Sequence, residues 1–248
     1  MVNSELGELR HFLPEQFGEQ DFLTKFFQDK LLGDLIKRLM RMSPGETLPS
    51  ERILAEELGI SRTALRDRIG RLSSLGMLDK REREKTTFVG LKPDSIGDVL
   101  ILGLMASDMT IGSLVSVRHA LENQAILEIA KKSPNVDLDE MLEAVNMMKD
   151  NDKGEILLAA DAKFHKALFV AAGSPGLSFF WQALQTVLQT THQFVDLEQD
   201  ISTMRQIHEE VYLTTKSGDQ DAALRAMNVH FAWLDTLLVK RGYKLSAS

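Results

Sequence analysis

The chain contains no cysteine. That removes disulfides, thiolate metal sites and thiol nucleophiles, and it suits a reducing cytoplasm. It also lacks any apolar run of about 18 residues, the length a membrane-spanning helix needs. The first twenty residues, "MVNSELGELRHFLPEQFGEQ", carry four glutamates and no continuous apolar stretch, so they do not read as a secretory signal. No repeat is present, and past residue 93 no stretch reads convincingly as a strand. The expectation is a soluble, cytoplasmic protein. With 248 residues, 44% of them hydrophobic, it can build one large domain or two smaller ones.

A net charge of -7 argues against a nucleic-acid binder only until the charge is mapped. Residues 21–92 hold 15 Lys+Arg against 11 Asp+Glu, an excess of four positive charges. Residues 93–248 hold 13 against 21, an excess of eight negative ones. A basic module joined to an acidic one is the reading. A short tail (1–20) precedes a DNA-binding unit at 21–92, a linker region at 93–109 and a helical domain at 110–248.

In the basic part, "FLTKFFQDKLLGDLIKRLM" has helical spacing over 22–40 and "SPGE" breaks it. Ser50 is a good N-cap for "ERILAEEL", with Ile53, Leu54 and Leu58 facing inward and Gly59 as the stop. Ser61 caps a third helix with Leu65, Ile69 and Leu72 inside. Two short helices around a glycine turn read as a helix-turn-helix, and "MLDKR" with "TTFVG" reads as a small β-hairpin wing. Arg62, Thr63 and Arg66 sit on the exposed start of the third helix, where a recognition helix meets base edges. Arginine there suits guanine, while Ser61 and Thr63 suit phosphate or thymine methyls. Arg52 opens the preceding helix, whose free N–H groups favour phosphate. Arg81, Arg83 and Lys85 make the wing basic. Surface arginines on an ordinary three-helix domain are the plain alternative.

"PGETLPSERILAEELGISRTALRDRIGRLSSLGML" resembles the winged-helix signature of the GntR family of bacterial transcription regulators, in register from Pro44 to Val89. The resemblance implies that Arg52, Arg62 and Arg66 contact DNA, with Ser61 and Thr63 beside them. Family wings usually carry a glycine-rich turn. This one reads "REREKTTFV", and a minor-groove role there would fall to Lys85 and Thr86.

The acidic part reads as helices at 95–107, 110–132, 136–151, 155–172, 176–195, 200–217 and 219–241, an antiparallel all-α bundle of six or seven helices. Polar residues intrude on its apolar stripes. Asp161 and His165 lie one turn apart, and His208, His230 and Arg118 each fall on the inward face of their own helix. His208 lies 10 residues before Gly218 and His230 lies 12 after it, so an antiparallel pair brings both to one depth. One carboxylate and three imidazoles converging are a divalent-metal site, most naturally zinc, with nickel or manganese also suited. An ion pair without metal, or separately hydrogen-bonded core histidines, fit the same residues. His192 is placed at the edge of this cavity, and His11 and His119 on the surface.

This part resembles the FCD effector domain of the FadR-like branch. There "DxxFH", a second histidine and a last one about 22 residues later bind a metal; here they are "DAKFH" at 161–165, His208 and His230. An "RxxxE" pattern is matched by Arg118 and Glu122. The expected function is that of a homodimeric, ligand-responsive regulator, most simply a repressor, that binds a pseudopalindromic double-stranded operator; a metal-dependent enzyme, or a regulator whose metal is purely structural, is the alternative. The regulator's effector is expected to be a small carboxylate compound, held by the metal and Arg118.

Overall fold

The computed structural model describes residues 28–80, 85–192 and 200–245, the side chains of 189–192 excepted. His11, Phe22, Phe26, Arg81, Arg83 and the His192 side chain lie outside the described residues. The chain divides into two compact units, residues 1–95 and 96–248.

In the first unit, α1 (Lys30–Leu39), α2 (Glu51–Leu58) and α3 (Arg62–Ser74) are followed by β1 (Leu78–Asp79) and β2 (Thr87–Phe88). Leu35, Leu39, Leu54, Leu65, Ile69 and Leu72 close over one another with Leu78 and Phe88. Each fully buried leucine contributes about 1.5–3 kcal/mol. Ser50 and Ser61 cap α2 and α3 by accepting the N–H of Ile53 and Ala64. Gly59 ends α2 at φ 64°, a left-handed conformation that glycine adopts without a Cβ clash.

Three expectations change. Of the 22–40 helix, the described part starts only at Lys30, with Gln28 at φ 51° and Asp29 as its cap; residues 22–27 lie outside the described residues. Ile53 is 40% exposed, because Leu54 and Ala55 hold the buried face of α2 and Ile53 lies about 100° away. The wing is wider than a hairpin. Residues 45–48 pair along β2 through Gly45 N–H to Phe88 O, Phe88 N–H to Glu46 O and Leu48 N–H to Thr86 O.

The second unit holds α4 (Pro93–Ala106, beginning in the first unit's last residues), α5 (Ile111–Lys132), α6 (Asp139–Lys149), α7 (Gly154–Ala172), α8 (Pro175–His192), α9 (Ile201–Ser217) and α10 (Gln220–Lys240). The α6–α7 and α9–α10 hairpins pack on α5, and α8 packs on both α5 and α7. Gly97 lets α4 lie on α8: a Cβ there would come within 2.6 Å of the Thr186 Cβ. Phe164, Leu168, Phe169, Met204, Val211, Met227 and Phe231 are central to its core. None of the described helices is long and apolar enough to cross a membrane.

Asp29 ties the first unit together. Its carboxylate accepts the Leu32 N–H at 3.0 Å, Arg68 Nε at 3.1 Å and Arg71 Nη1 at 3.0 Å. Desolvation opposes ionisation, but the Leu32 N–H and the two guanidiniums outweigh it and hold the carboxyl below its ordinary value. A depressed folded-state value means that this stabilisation is complete above about pH 4, the unfolded carboxyl's range, and fades as pH falls through the lowered value. Asp29→Ala should cost about 1–2 kcal/mol at pH 7 in urea denaturation followed by circular dichroism. The difference from the parent should shrink at pH 3.

Candidate metal centre and nucleic-acid interface

Four helices each bring an ionisable side chain inward. α5 carries Arg118 and Glu122, α7 Asp161 and His165, α9 His208, and α10 His230; all six are buried. Asp161, His165, His208 and His230 each offer a ligand atom, and these atoms lie within 4.8 Å of one another. The ring centroids are 4.8 Å apart for His208 and His230, 5.0 Å for His165 and His230, and 5.6 Å for His165 and His208. Ligand atoms around one small cation stand roughly 3–4 Å apart, so side-chain adjustment covers the difference.

The nitrogens are sorted by their other contacts. His208 Nδ1 lies 2.7 Å from the Met204 carbonyl and donates to it, and Nε2, 3.0 Å from Asp161 Oδ1, is the nitrogen left to face a cation. His165 Nδ1 donates to Glu122 Oε2 at 2.7 Å, and its Nε2, 3.5 Å from Asp161 Oδ1, has no hydrogen-bond partner. Neither nitrogen of His230 has one. Buried nitrogens left unpaired cost about 1–3 kcal/mol each, and metal ligands are a recognised exception to that pressure. The donor set therefore fits a divalent cation: three imidazole nitrogens, one carboxylate, and a carboxylate behind one histidine to fix its tautomer.

The electrostatics differ from one member of the cluster to the next. Burial alone would raise Asp161, but His165 first and His208 after it hold it well below the usual range. Burial and Arg118 disfavour His165 as a cation, yet Glu122 and Asp161 prevail and raise it. Burial, reinforced by His208 and His165, pushes His230 far down and leaves it a neutral donor.

Sequence reasoning placed Glu122 only as a partner for Arg118. The structure gives it two, Arg118 Nε at 2.6 Å and His165 Nδ1 at 2.7 Å. Its inward position has one sequence signal, the i, i+4 spacing from the inward Arg118. Both its oxygens are engaged, so it is not free to act as a general base. Arg118 is 2% exposed, and its Nη2 has no hydrogen-bond partner. His119 was placed on the surface. It is half-buried, stacked on Phe231 at 4.3 Å and held by Asn228. A groove of about 300 Å³, lined by Lys132, Asn135, Asp137, Glu140 and Ala171 among others, includes none of the six buried ionisable residues.

In the first unit, Ser61, Arg62, Thr63 and Arg66 are exposed at the start of α3. Ser61 Oγ is spent on the cap. Arg66 Nε meets Glu51 at 2.6 Å and Arg52 Nη1 meets Glu56 at 2.9 Å, both solvent-accessible pairs. Exposed pairs of this kind are worth little, so they yield to a phosphate or base. Lys85 is exposed and Thr86 half-buried, with the Thr86 carbonyl bonded to Leu48.

Comparison with known proteins now decides the family. The model of the bacterial regulatory proteins of the gntR family matches residues 28–89, and that of the FCD domain matches residues 113–232. The chain belongs to the GntR family, with a C-terminal FCD domain. The HTH-type transcriptional regulator LutR of Bacillus subtilis is 24% identical over 79% of this chain and 93% of its own. The uncharacterized HTH-type regulator YieP of Escherichia coli is 26% identical over 86% and 94%. An Escherichia coli regulatory protein named for the L-lactate dehydrogenase operon is 27% identical over 79% and 80%. A solved GntR structure from Streptococcus agalactiae shares the fold, with a TM-score of 0.60, 21% identity, and coverage of 84% of this chain and 98% of that one. This GntR protein is a DNA-binding transcriptional regulator of the helix-turn-helix type, and the Asp/His cluster and Arg118 fall within its FCD domain.

Arg118 and Glu122 should behave as one unit. Glu122→Leu strands a buried guanidinium and should cost about 3–5 kcal/mol. Arg118→Met in the same chain should recover most of that loss. Guanidinium-chloride melts of the two single variants, the double and the parent measure the coupling, and simple additivity would contradict it.

Proposed function

We propose that this regulator acts in the cytoplasm as a homodimeric repressor. Its FCD domain binds one divalent cation through Asp161, His165, His208 and His230, and a small organic acid beside it. The observation that carries the reading is the convergence of those four buried residues with the incompletely satisfied Arg118.

Charge counting supports an anionic effector. Arg118 carries one positive charge, Glu122 and Asp161 one negative charge each, and a divalent cation would bring the buried total to +1 with neutral histidines. A carboxylate neutralises that excess, and a guanidinium nitrogen with no partner is a natural second contact for it. The cation would supply electrostatic attraction for the acid. Zinc suits this donor set best, with nickel and manganese the alternatives. The relative named for the L-lactate dehydrogenase operon supports an organic acid as the signal. Two heads on one dimer would read a pseudopalindrome through Arg52, Arg62, Thr63 and Arg66, with Ser61 near a phosphate and Lys85 and Thr86 at the wing.

Three measurements test this. Elemental analysis of the purified protein, reconstituted with zinc, should give about one equivalent of metal per chain, and His208→Ala or His230→Ala should lose it; no stoichiometric metal in the parent contradicts the site. In mobility-shift assays, Arg62→Ala should weaken operator binding by about 1–3 kcal/mol with the fold intact. Arg118→Lys keeps the charge opposite Glu122 but loses the fork, so it should retain metal and DNA binding while losing the response to the acid.

A further inference from the structure

α8 carries two buried side chains whose polar atoms have no partner. Gln185 is 6% exposed and neither its Oε1 nor its Nε2 is hydrogen-bonded; Trp181, 5% exposed and one turn earlier, has a free Nε1. Both amide atoms are unpaired, so turning the amide over changes nothing. Buried polar groups are nearly always satisfied, and two neighbouring exceptions on one helix face ask for a cause. Both residues are large enough that an apolar side chain would fill the same space without the cost.

Their position relates them to the effector site. On α7, Asp161, His165 and Phe169 follow one another at intervals of four and share a face. Phe169 stacks on Trp181 with ring centroids 5.2 Å apart. Only Gly173 and Ser174 separate α7 from α8, so α8 turns back alongside α7. Gln185 therefore lies one turn from Trp181 in the direction in which His165 lies one turn from Phe169. α8 also packs on α5, where Glu122 meets His165 and Arg118 sits one turn away with its own unpaired Nη2.

Resting on the effector reading above, we propose that Gln185, assisted by Trp181, is the specificity-determining end of that site and takes a hydroxyl carried by the small acid that Arg118 anchors. The amide offers one donor side and one acceptor side. A second carboxylate would satisfy Nε2 and repel Oε1, and a methyl would satisfy neither. A hydroxyl both donates and accepts, and an adjacent ligand oxygen can take the indole N–H. The effector class is thus a hydroxy-carboxylate rather than a plain carboxylate.

The test uses the zinc-reconstituted full chain and calorimetry with matched pairs of acids: propanoate against 2- and 3-hydroxypropanoate, and butanedioate against 2-hydroxybutanedioate. In the parent, a hydroxylated member should bind at least about tenfold tighter than its plain partner, because a site built around a hydroxyl rejects the analogue lacking it. Gln185→Leu should erase most of that preference by weakening only the hydroxylated acid, and its ligand-free melting temperature should equal or exceed the parent's. Equal binding of both members by the parent, a preference that survives in Gln185→Leu, or a marked drop in that variant's melting temperature each overturns the proposal. Those results leave the carboxylate reading standing. Failure of every acid to bind the metal-loaded parent removes both.

Discussion

Every feature of the second unit answers to one constraint: six ionisable side chains are enclosed among four helices where water cannot screen them. An isolated charge there would cost several kcal/mol, so each must be balanced by another. Glu122 is the pivot. It stands between the Arg118 guanidinium and the His165 imidazole, 2.6 and 2.7 Å away, and passes a fixed orientation from one to the other. His165 then faces Asp161, which is shared with His208, and His230 closes the group. The bundle converges on a polar knot and stacks its apolar rings around it; Phe164 packs edge-on against both His165 and His208.

The knot explains why binding at such a site can be felt elsewhere. Its members come from α5, α7, α9 and α10, which pack on one another through the core of the FCD domain. A ligand that alters the charge balance acts on four helices at once, and packed helices answer by discrete shifts rather than by local yielding. Glu122 and Asp161 together raise His165, so the two carboxylates draw positive charge to that side of the cluster.

Much of this was readable from the sequence because the signals were periodic. The stripes of α3, α7, α9 and α10 predict which residues turn inward, and counting from Gly218 predicts that His208 and His230 share a level. What escaped were features that periodicity does not encode. Asp29 caps α1 through a turn at Gln28, and a continuous apolar spacing over 22–40 hides that turn. The pairing of residues 45–48 with β2 is a long-range backbone contact, invisible in a segment that reads as loop. Ile53 shows the converse: an apolar residue adjacent to the buried stripe need not join it. Glu122 was seen only as a neighbour on its own helix, since its approach to His165 depends on how α5 and α7 pack. Gln185 and Trp181 gave no signal at all, because an amide on an inward face becomes informative only when its lack of partners is known.

The central claim is that Asp161, His165, His208 and His230 act together on one cation. X-ray absorption at the edge of the metal bound to the reconstituted protein tests it most directly, since ordered imidazole rings give a multiple-scattering signature. The account predicts three imidazoles with the remaining ligands oxygen or nitrogen, and a reduced imidazole count in His230→Gln. A spectrum with one imidazole or none, or an environment unchanged in that variant, would contradict it.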